Sequence, residues 1–443
     1  MLTVAIANDL NQLLEYGVDV DPLRHRFDKL VRDGSLDELA GFQLELWQID
    51  APPDYPYDEP SDPEAICALW PEDDGPAFEG GSDTLHDRLA GAWLGRAAGC
   101  CLGKPLEIGV DRREVEAILR ALDSWPLLDY LNAWPEGEFP QALDRPVKGR
   151  DRNCTRPLID HCPNDDDINY PLASLMCLEK HGADWTPEAL FKLIADITPW
   201  SRLWSSGKNG ARAALEGMPH PGGQLFGNPT RQSLGAMIRC DTWAYVTPGA
   251  RRRAAEFALR DAVYTQTRNG IYAGVYWTVA IQAALTRGDV DGALRVALEY
   301  VPPQSKYAEM VHWCFEQPGA ADWADAVDAL YERYGYENLL PKQMTFNHCL
   351  INGGLTLLGV LYGEGDFSKT IGLTVAGGRD TDCTGATAGS LMGAACGFRK
   401  LPPHWIRPLN DTYRSVMLGC HELSFSDIVR RTEEQARKFG RIK

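Results

Sequence analysis

Gly91-Ala-Trp-Leu-Gly-Arg-Ala-Ala-Gly-Cys-Cys-Leu-Gly103 sets a glycine at every fourth position, and Gly385-Ala-Thr-Ala-Gly-Ser-Leu-Met-Gly-Ala-Ala-Cys-Gly397 does the same far downstream. Four residues are close to one helical turn, so each series falls on one face of a helix. A glycine costs about 1 kcal/mol relative to alanine inside a helix. Four in register therefore need a compensating gain. The gain available is a stripe without side chains, along which another helix backbone can come close. Both stretches stay apolar between their glycines, which speaks against loose glycine-rich loops. The spacing predicts two helices packed at the centre of the molecule.

Outward from these two stretches the periodicity is almost entirely helical. Pro187 opens a helix through Leu190 and Ile194, and Ala254, Ala255, Ala258, Leu259 and Ala262 share a face after Pro248-Gly249. Tyr272 to Leu285, Ala293 to Tyr300 and Ala324 to Tyr331 behave alike, and strand-like alternation is rare. The expectation is an all-α globule with long ordered loops at 104–165 and 198–235. Residues 1–50 read as a short helical extension, 51–84 as a proline-rich acidic linker, and 85–443 as the main domain. The Arg251-Arg252-Arg253 run reads as the solvated face of a helix.

The 443 residues are 44% hydrophobic and 24% charged, as in a soluble globular protein with a large core. The net charge of −18 repels phosphate backbones and anionic lipid, so nucleic acid and membrane surfaces are not expected partners. No run is long and apolar enough for a membrane span, and the start has no basic region of a secretory signal, which points to the cytoplasm. The twelve cysteines lack paired CxxC spacing, so they read as buried hydrophobes of a reducing compartment rather than zinc ligands. Gly99 to Lys104 has the wrong glycine spacing for a phosphate loop, and Pro105 stands where a Ser or Thr is needed.

Two acidic clusters carry the chemistry. Asn164-Asp165-Asp166-Asp167 directly precedes a helical run, and Gly377-Gly378-Arg379-Asp380-Thr381-Asp382-Cys383-Thr384 directly precedes the second glycine-striped helix. One or two acids at a helix N-terminus cap it and complement its dipole. Three in a row, and an Asp-x-Asp at the other site, exceed that need and repel one another unless a cation lies between them. Hard oxygen donors of this kind suit Mg²⁺, Mn²⁺ or Ca²⁺.

These residues resemble the ADP-ribosylglycohydrolase family, which includes dinitrogenase-reductase-activating glycohydrolase and the ADP-ribosylarginine and ADP-ribosylserine hydrolases. Leu89 to Gly99 with Gly103-Lys-Pro-Leu-Glu107 is similar to its opening helix and following loop, and Asn164 to Asp167 falls at its Thr-Asp-Asp-Thr motif. Gly235 to Asp241, Arg268-Asn-Gly-Ile-Tyr272, and Gly363 to Phe367 followed by Gly378 to Gly397 resemble its middle and closing segments. The likeness spans about residues 85 to 440 in the expected order.

The resemblance implies a mostly α-helical fold with two Mg²⁺ or Mn²⁺ ions at the bottom of a cleft. Carried over by position, Asn164, Asp165 and Asp166 match one ligand set, and Asp380, Asp382 and Cys383 the other. Glu107, Asp165, Asp166 and Asp382 are the implied catalytic acids, and Asn269, Gly270, Tyr272 and Gly378 the implied substrate contacts. The implied reaction is hydrolysis at the anomeric carbon of ADP-ribose. An ADP-ribosylated protein side chain is the first substrate, arginine favoured. A small ADP-ribose-like or nucleoside-type metabolite, and a non-catalytic ADP-ribose-binding protein, are the alternatives.

Several positions depart from the family pattern. Cys383 puts a soft thiol where a threonine is common, with Thr384 as the replacement donor nearest in sequence. Asp167 adds a charge, and Arg96 stands where many members have aspartate. His348 reads as a capping or buried histidine.

Overall fold

The two striped stretches form the helices Gly81–Gly103 and Thr381–Cys396 in the computed structural model, which describes residues 2–218 and 222–443. They run antiparallel, backbone against backbone. Gly91 faces the carbonyl oxygen of Gly393, Gly95 that of Gly389, and Gly99 that of Gly385. The reverse contacts hold as well, so a methyl group on any of these six glycines would run into a main-chain oxygen of the partner helix. Approach this close brings Cα–H groups against carbonyls, a weak attraction repeated at each turn. Gly397 does a different job from the rest of its series. It ends the helix with φ +81°, a left-handed turn that glycine adopts without strain.

Both helices are buried over most of their length. Around them pack Asn269–Arg287, Cys349–Gly363, Phe367–Ala376 and Phe425–Phe439. The expected helices are present as Pro187–Ile197, Arg251–Ala262, Val290–Leu298 and Trp323–Tyr334. The strands Thr412–Arg414 and Glu422–Ser424 pair antiparallel in a two-stranded sheet, so the fold is all-α. Among the described residues no helix is long and apolar enough to cross a membrane.

The long loops differ from expectation. Segment 104–165 contains the helix Arg112–Ala121, started by a capping box between Asp111 and Glu114 and seated by buried Val115, Ile118 and Leu119. Segment 198–235 contains Ser205–Leu215. Its Gly207 and Gly210 weaken the helical signal in the sequence, but they let it lie against the rings of Tyr170 and Phe191.

The N-terminal helices Leu2–Glu15, Asp21–Asp33 and Leu36–Leu46 share a small core of Ile6, Leu10, Leu13, Leu39, Phe42 and Leu46. Polar side chains join this unit to the main body. Buried Asp9 pairs with Arg231, and Glu15 accepts from Gln232 and lies 3.2 Å from Nε2 of His348. His348 also caps the helix Cys349–Gly363 through Nδ1. The Arg251–Arg253 run is not a solvated face. Arg251 is buried, the Arg252 guanidinium donates to the Pro71 carbonyl (3.1 Å), and the Arg252 amide donates to Asp74 (2.8 Å). Arg252 thereby clamps the linker, while Arg253 is exposed and donates to the Phe439 carbonyl (2.8 Å).

The helix contact makes a two-sided prediction. Gly99→Ala should lower stability by about 2 kcal/mol or more through overpacking. Gly41→Ala, in the exposed interior of Leu36–Leu46 with nothing within 4 Å of its new methyl, should raise stability by about 0.5–1 kcal/mol. Guanidinium unfolding of both variants checks the opposite signs.

Candidate active site

Three helix ends meet where the striped pair closes. The first striped helix stops at Gly103, whose carbonyl accepts from Thr381 Oγ1 (2.8 Å), and a 3₁₀ turn over Lys104–Leu106 then presents Lys104 and Glu107. The second begins at Thr381, with Asp380 as its N-cap and Asp382 in its first turn. The third, Asp166–His181, has Asp165 as N-cap, with Oδ1 accepting from the Asp167 amide (2.9 Å). Between them lies a cavity of about 720 Å³ lined by Lys104, Glu107, Asn164, Asp165, Asp166, Asp380, Asp382 and Cys383. The two acidic loops, far apart in sequence, face one another across it.

Glu107, Asp380 and Asp382 each bring an oxygen within 4.8 Å of the others. Asp167, Asp382 and Cys383 form a second such group, and Cys100, Asp165 and Asp167 a third. Asp382 Oδ1 and Asp167 Oδ2 are buried with no hydrogen-bond partner. A buried, unsatisfied carboxylate oxygen is costly unless something positive meets it. Three carboxylates, one of them with an unpartnered oxygen, fit a divalent cation, and among the described residues the first group is the one made of carboxylates alone.

The electrostatics divide the acids. Burial pushes Asp165 up, but the Lys104 ammonium bonded to its Oδ2 outweighs this and holds Asp165 below the ordinary carboxylate range. Glu107 goes the other way. Burial and the neighbouring Asp382 raise it to about 10, against the pull of Arg150, whose guanidinium it accepts from. Burial and adjacent aspartates also raise Asp166 and Asp380 well above the usual range.

Not every implied residue faces the cavity with a free donor. Asn164 lines it, yet its side-chain oxygen accepts from Asn169 Nδ2 and the Val416 amide, both at 2.9 Å. Its side chain ties the loop down instead of offering that oxygen to a cation. The Thr384 hydroxyl donates to the Asp380 carbonyl (3.0 Å) inside its own helix. Asn269, Gly270 and Tyr272 lie under the linker, outside the cavity lining. Asn269 donates to Glu59 (2.9 Å) and accepts from the Tyr307 amide (3.0 Å), Tyr272 donates to the Pro60 carbonyl, and Gly270 abuts the Arg231 backbone. Gly378, at φ +86°, turns the chain toward Asp380 and also lies outside the lining.

Lys104, Arg150, Arg202, Trp204, Lys342 and Phe346 also line the cavity, and sequence reasoning missed all six. Lys104 belongs to the Gly103-to-Glu107 motif, but nothing in the spacing signals that it is buried. The others sit in segments without a clear periodic signal.

Arg96 and Asp167, both departures from the family pattern, meet each other. The buried Arg96 guanidinium donates to Asp167 Oδ1 (3.1 Å), Asp241 Oδ2 (2.8 Å) and the carbonyls of Asp167 (2.7 Å) and Ile238 (2.6 Å). The arginine stands behind the cage, not in it.

Residues 81–437 match the sequence profile of the ADP-ribosylglycohydrolase family, and the chain belongs to that family. It is a glycosidic-bond hydrolase, and the family acts on ADP-ribose-containing substrates. No curated protein matches the chain. Among solved structures, a chain described as an ADP-ribosylglycohydrolase-related protein complex is similar, with 18% identity and a TM-score of 0.46, covering 81% of this chain and 99% of that one.

Removing the charge behind the cage should cost stability. Arg96→Met leaves Asp167 and Asp241 buried without their cation, with an expected loss of about 3–5 kcal/mol. Adding Asp167→Asn to it should cost less than the two separate losses together, a coupling that a denaturant double-mutant cycle measures.

Proposed function

We propose that this ADP-ribosylglycohydrolase removes ADP-ribose from modified protein side chains, arginine first, by hydrolysis at the anomeric carbon in the acidic cleft. The observation that carries this reading is the convergence of Glu107, Asp165, Asp166, Asp380 and Asp382 on one cavity. The rim supplies the complementary charge. Arg150, Arg202 and Lys342 suit a diphosphate, and the exposed Trp204 and the partly buried Phe346 offer ring faces for a base.

Access supports a protein-borne substrate over a small metabolite. No residue of the N-terminal extension or linker lines the cavity among the described residues. The extension packs on Pro229, Arg231, Gln232 and His348, and the linker on 268–272.

A divalent cation, Mg²⁺ or Mn²⁺, held by Asp380 and Asp382 with Asp166 on the same cavity wall, would supply positive charge to bind ribose hydroxyls and water. The chain's own groups divide the remaining work by their opposite environments. Asp165, kept ionised by Lys104, faces the positive charge that develops on the ribose ring as the bond to nitrogen breaks. Glu107, kept protonated, gives its proton to the departing guanidine nitrogen. Water adds to the anomeric carbon and its proton passes to Asp165. The products are free ADP-ribose and an unmodified arginine.

Release of ADP-ribose from an ADP-ribosylated arginine peptide, followed by mass spectrometry, tests the reading. Glu107→Gln and Asp382→Asn should each lower kcat by about 10²–10⁴, and a chelator should stop the reaction. A proton donor works below its pKa, so activity should fall as pH rises through that of Glu107. Glu107→Gln should remove this alkaline limb. Turnover of free nucleosides with none of the modified peptide would overturn the protein-substrate reading.

A further inference from the structure

We infer that the buried Lys104 ammonium takes the place of one of the two metal ions expected of this cage, so that the chain binds a single divalent cation. The inference rests on the hydrolase reading above and names how its site is charged. Lys104 is 5% exposed, and its ammonium donates to Asp165 Oδ2 and to the Asn164 carbonyl (3.2 Å), with Asp151 at 3.7 Å. Each Asp165 oxygen already serves a protein donor, Oδ2 the Lys104 ammonium and Oδ1 the Asp167 amide at 2.9 Å. The Asn164 side-chain oxygen accepts twice, from Asn169 and Val416. The ligand set at the start of Asp166–His181 is therefore occupied by hydrogen bonds from the protein itself, with Asp166 as its remaining free acid.

What stays open lies on the other side of the cavity. Among the described residues Asp382 Oδ1 is buried without a partner, and Asp382 belongs to the carboxylate group with Glu107 and Asp380. The two other groups each include a thiol, Cys383 or Cys100, a poor ligand for a hard cation. Both also contain Asp167, whose charge already meets the Arg96 guanidinium at 3.1 Å. A second divalent ion would have to displace Lys104 or settle beside two fixed cations. At a few ångströms, repulsion between like charges in a buried site outweighs what one thiol and shared carboxylates return. Lys104 is close enough to Asp165 to do the charge-balancing work of that ion, but it cannot bind water or sugar hydroxyls as a Lewis acid does. Binding of ribose hydroxyls then falls to the single ion near Asp380 and Asp382.

Titration of the full chain with Mn²⁺ after chelator treatment, read by calorimetry and by electron paramagnetic resonance, tests this independently of turnover. The native chain should take up one equivalent and show an isolated Mn²⁺ signal. Lys104→Met should gain a second equivalent and the spin-coupled signal of an ion pair, whereas Lys104→Arg should stay at one. Two equivalents in the native chain would overturn the inference without recourse to any variant, as would a folded Lys104→Met that still binds one. Failure of the hydrolase reading has a different signature: one equivalent bound, and no ADP-ribose released from modified peptide.

Discussion

Everything in this molecule is hung on a contact between two helix backbones. Glycine against glycine over three turns leaves no side chain to adjust, so the register of Gly81–Gly103 against Thr381–Cys396 is fixed. Since the helices run antiparallel, that register decides which termini meet. The C-terminal end carrying Lys104 and Glu107 comes to the N-terminal end carrying Asp380 and Asp382. A slip of one turn would move the acids past the loop they face. The same close packing buries the site's floor, and burial sets the acids' behaviour.

A floor this rich in carboxylates needs positive charge from somewhere, and the chain supplies part of it. Arg96 stands behind Asp167 and Asp241, Lys104 lies against Asp165, and Arg150 approaches Glu107 from the rim. These three cations come from the striped helix, its continuation and the long loop, so assembling the fold also assembles the charge balance. Among the described residues Asp382 Oδ1 is left without a partner. Arg96 and Asp167 look unrelated when compared one by one with a family motif. In space they are one buried ion pair, at 3.1 Å.

Much of this was legible in the sequence, and the reason differs by element. The striped helices were readable because four glycines on one helical face are too costly to keep unless a second backbone lies against them. The acidic loops were readable because their number exceeds what capping requires. The helix Arg112–Ala121 announces itself through Asp111 and Glu114, but it is short and lies between irregular segments. Asn269, Gly270 and Tyr272 are instructive in another way. The family pattern places them near substrate, whereas in this chain Glu59 and Pro60 of the linker hydrogen-bond with Asn269 and Tyr272. No local pattern in 269–272 carries information about a segment two hundred residues upstream. Lys104 was hidden for a similar reason, because its role depends on an aspartate in another loop.

The position of the N-terminal unit follows from the same charge logic. Its own core is small, and the helix Asp21–Asp33 has no buried residue at all, so hydrophobic burial alone gives it little hold on the body. The hold comes instead from buried polar partners, Asp9 with Arg231 and Glu15 with Gln232 and His348. Such pairs discriminate strongly by geometry, since either partner left alone in the interior is costly. They fix where the unit sits more sharply than an apolar face would. That place is over Pro229, Arg231, Gln232 and His348, next to Leu234, Gly235, Phe346 and Asn347 of the cavity wall, where the Leu234 amide donates to the Asn347 carbonyl (2.8 Å). The extension thus braces the cleft wall, and among the described residues none of its own enters the cavity lining.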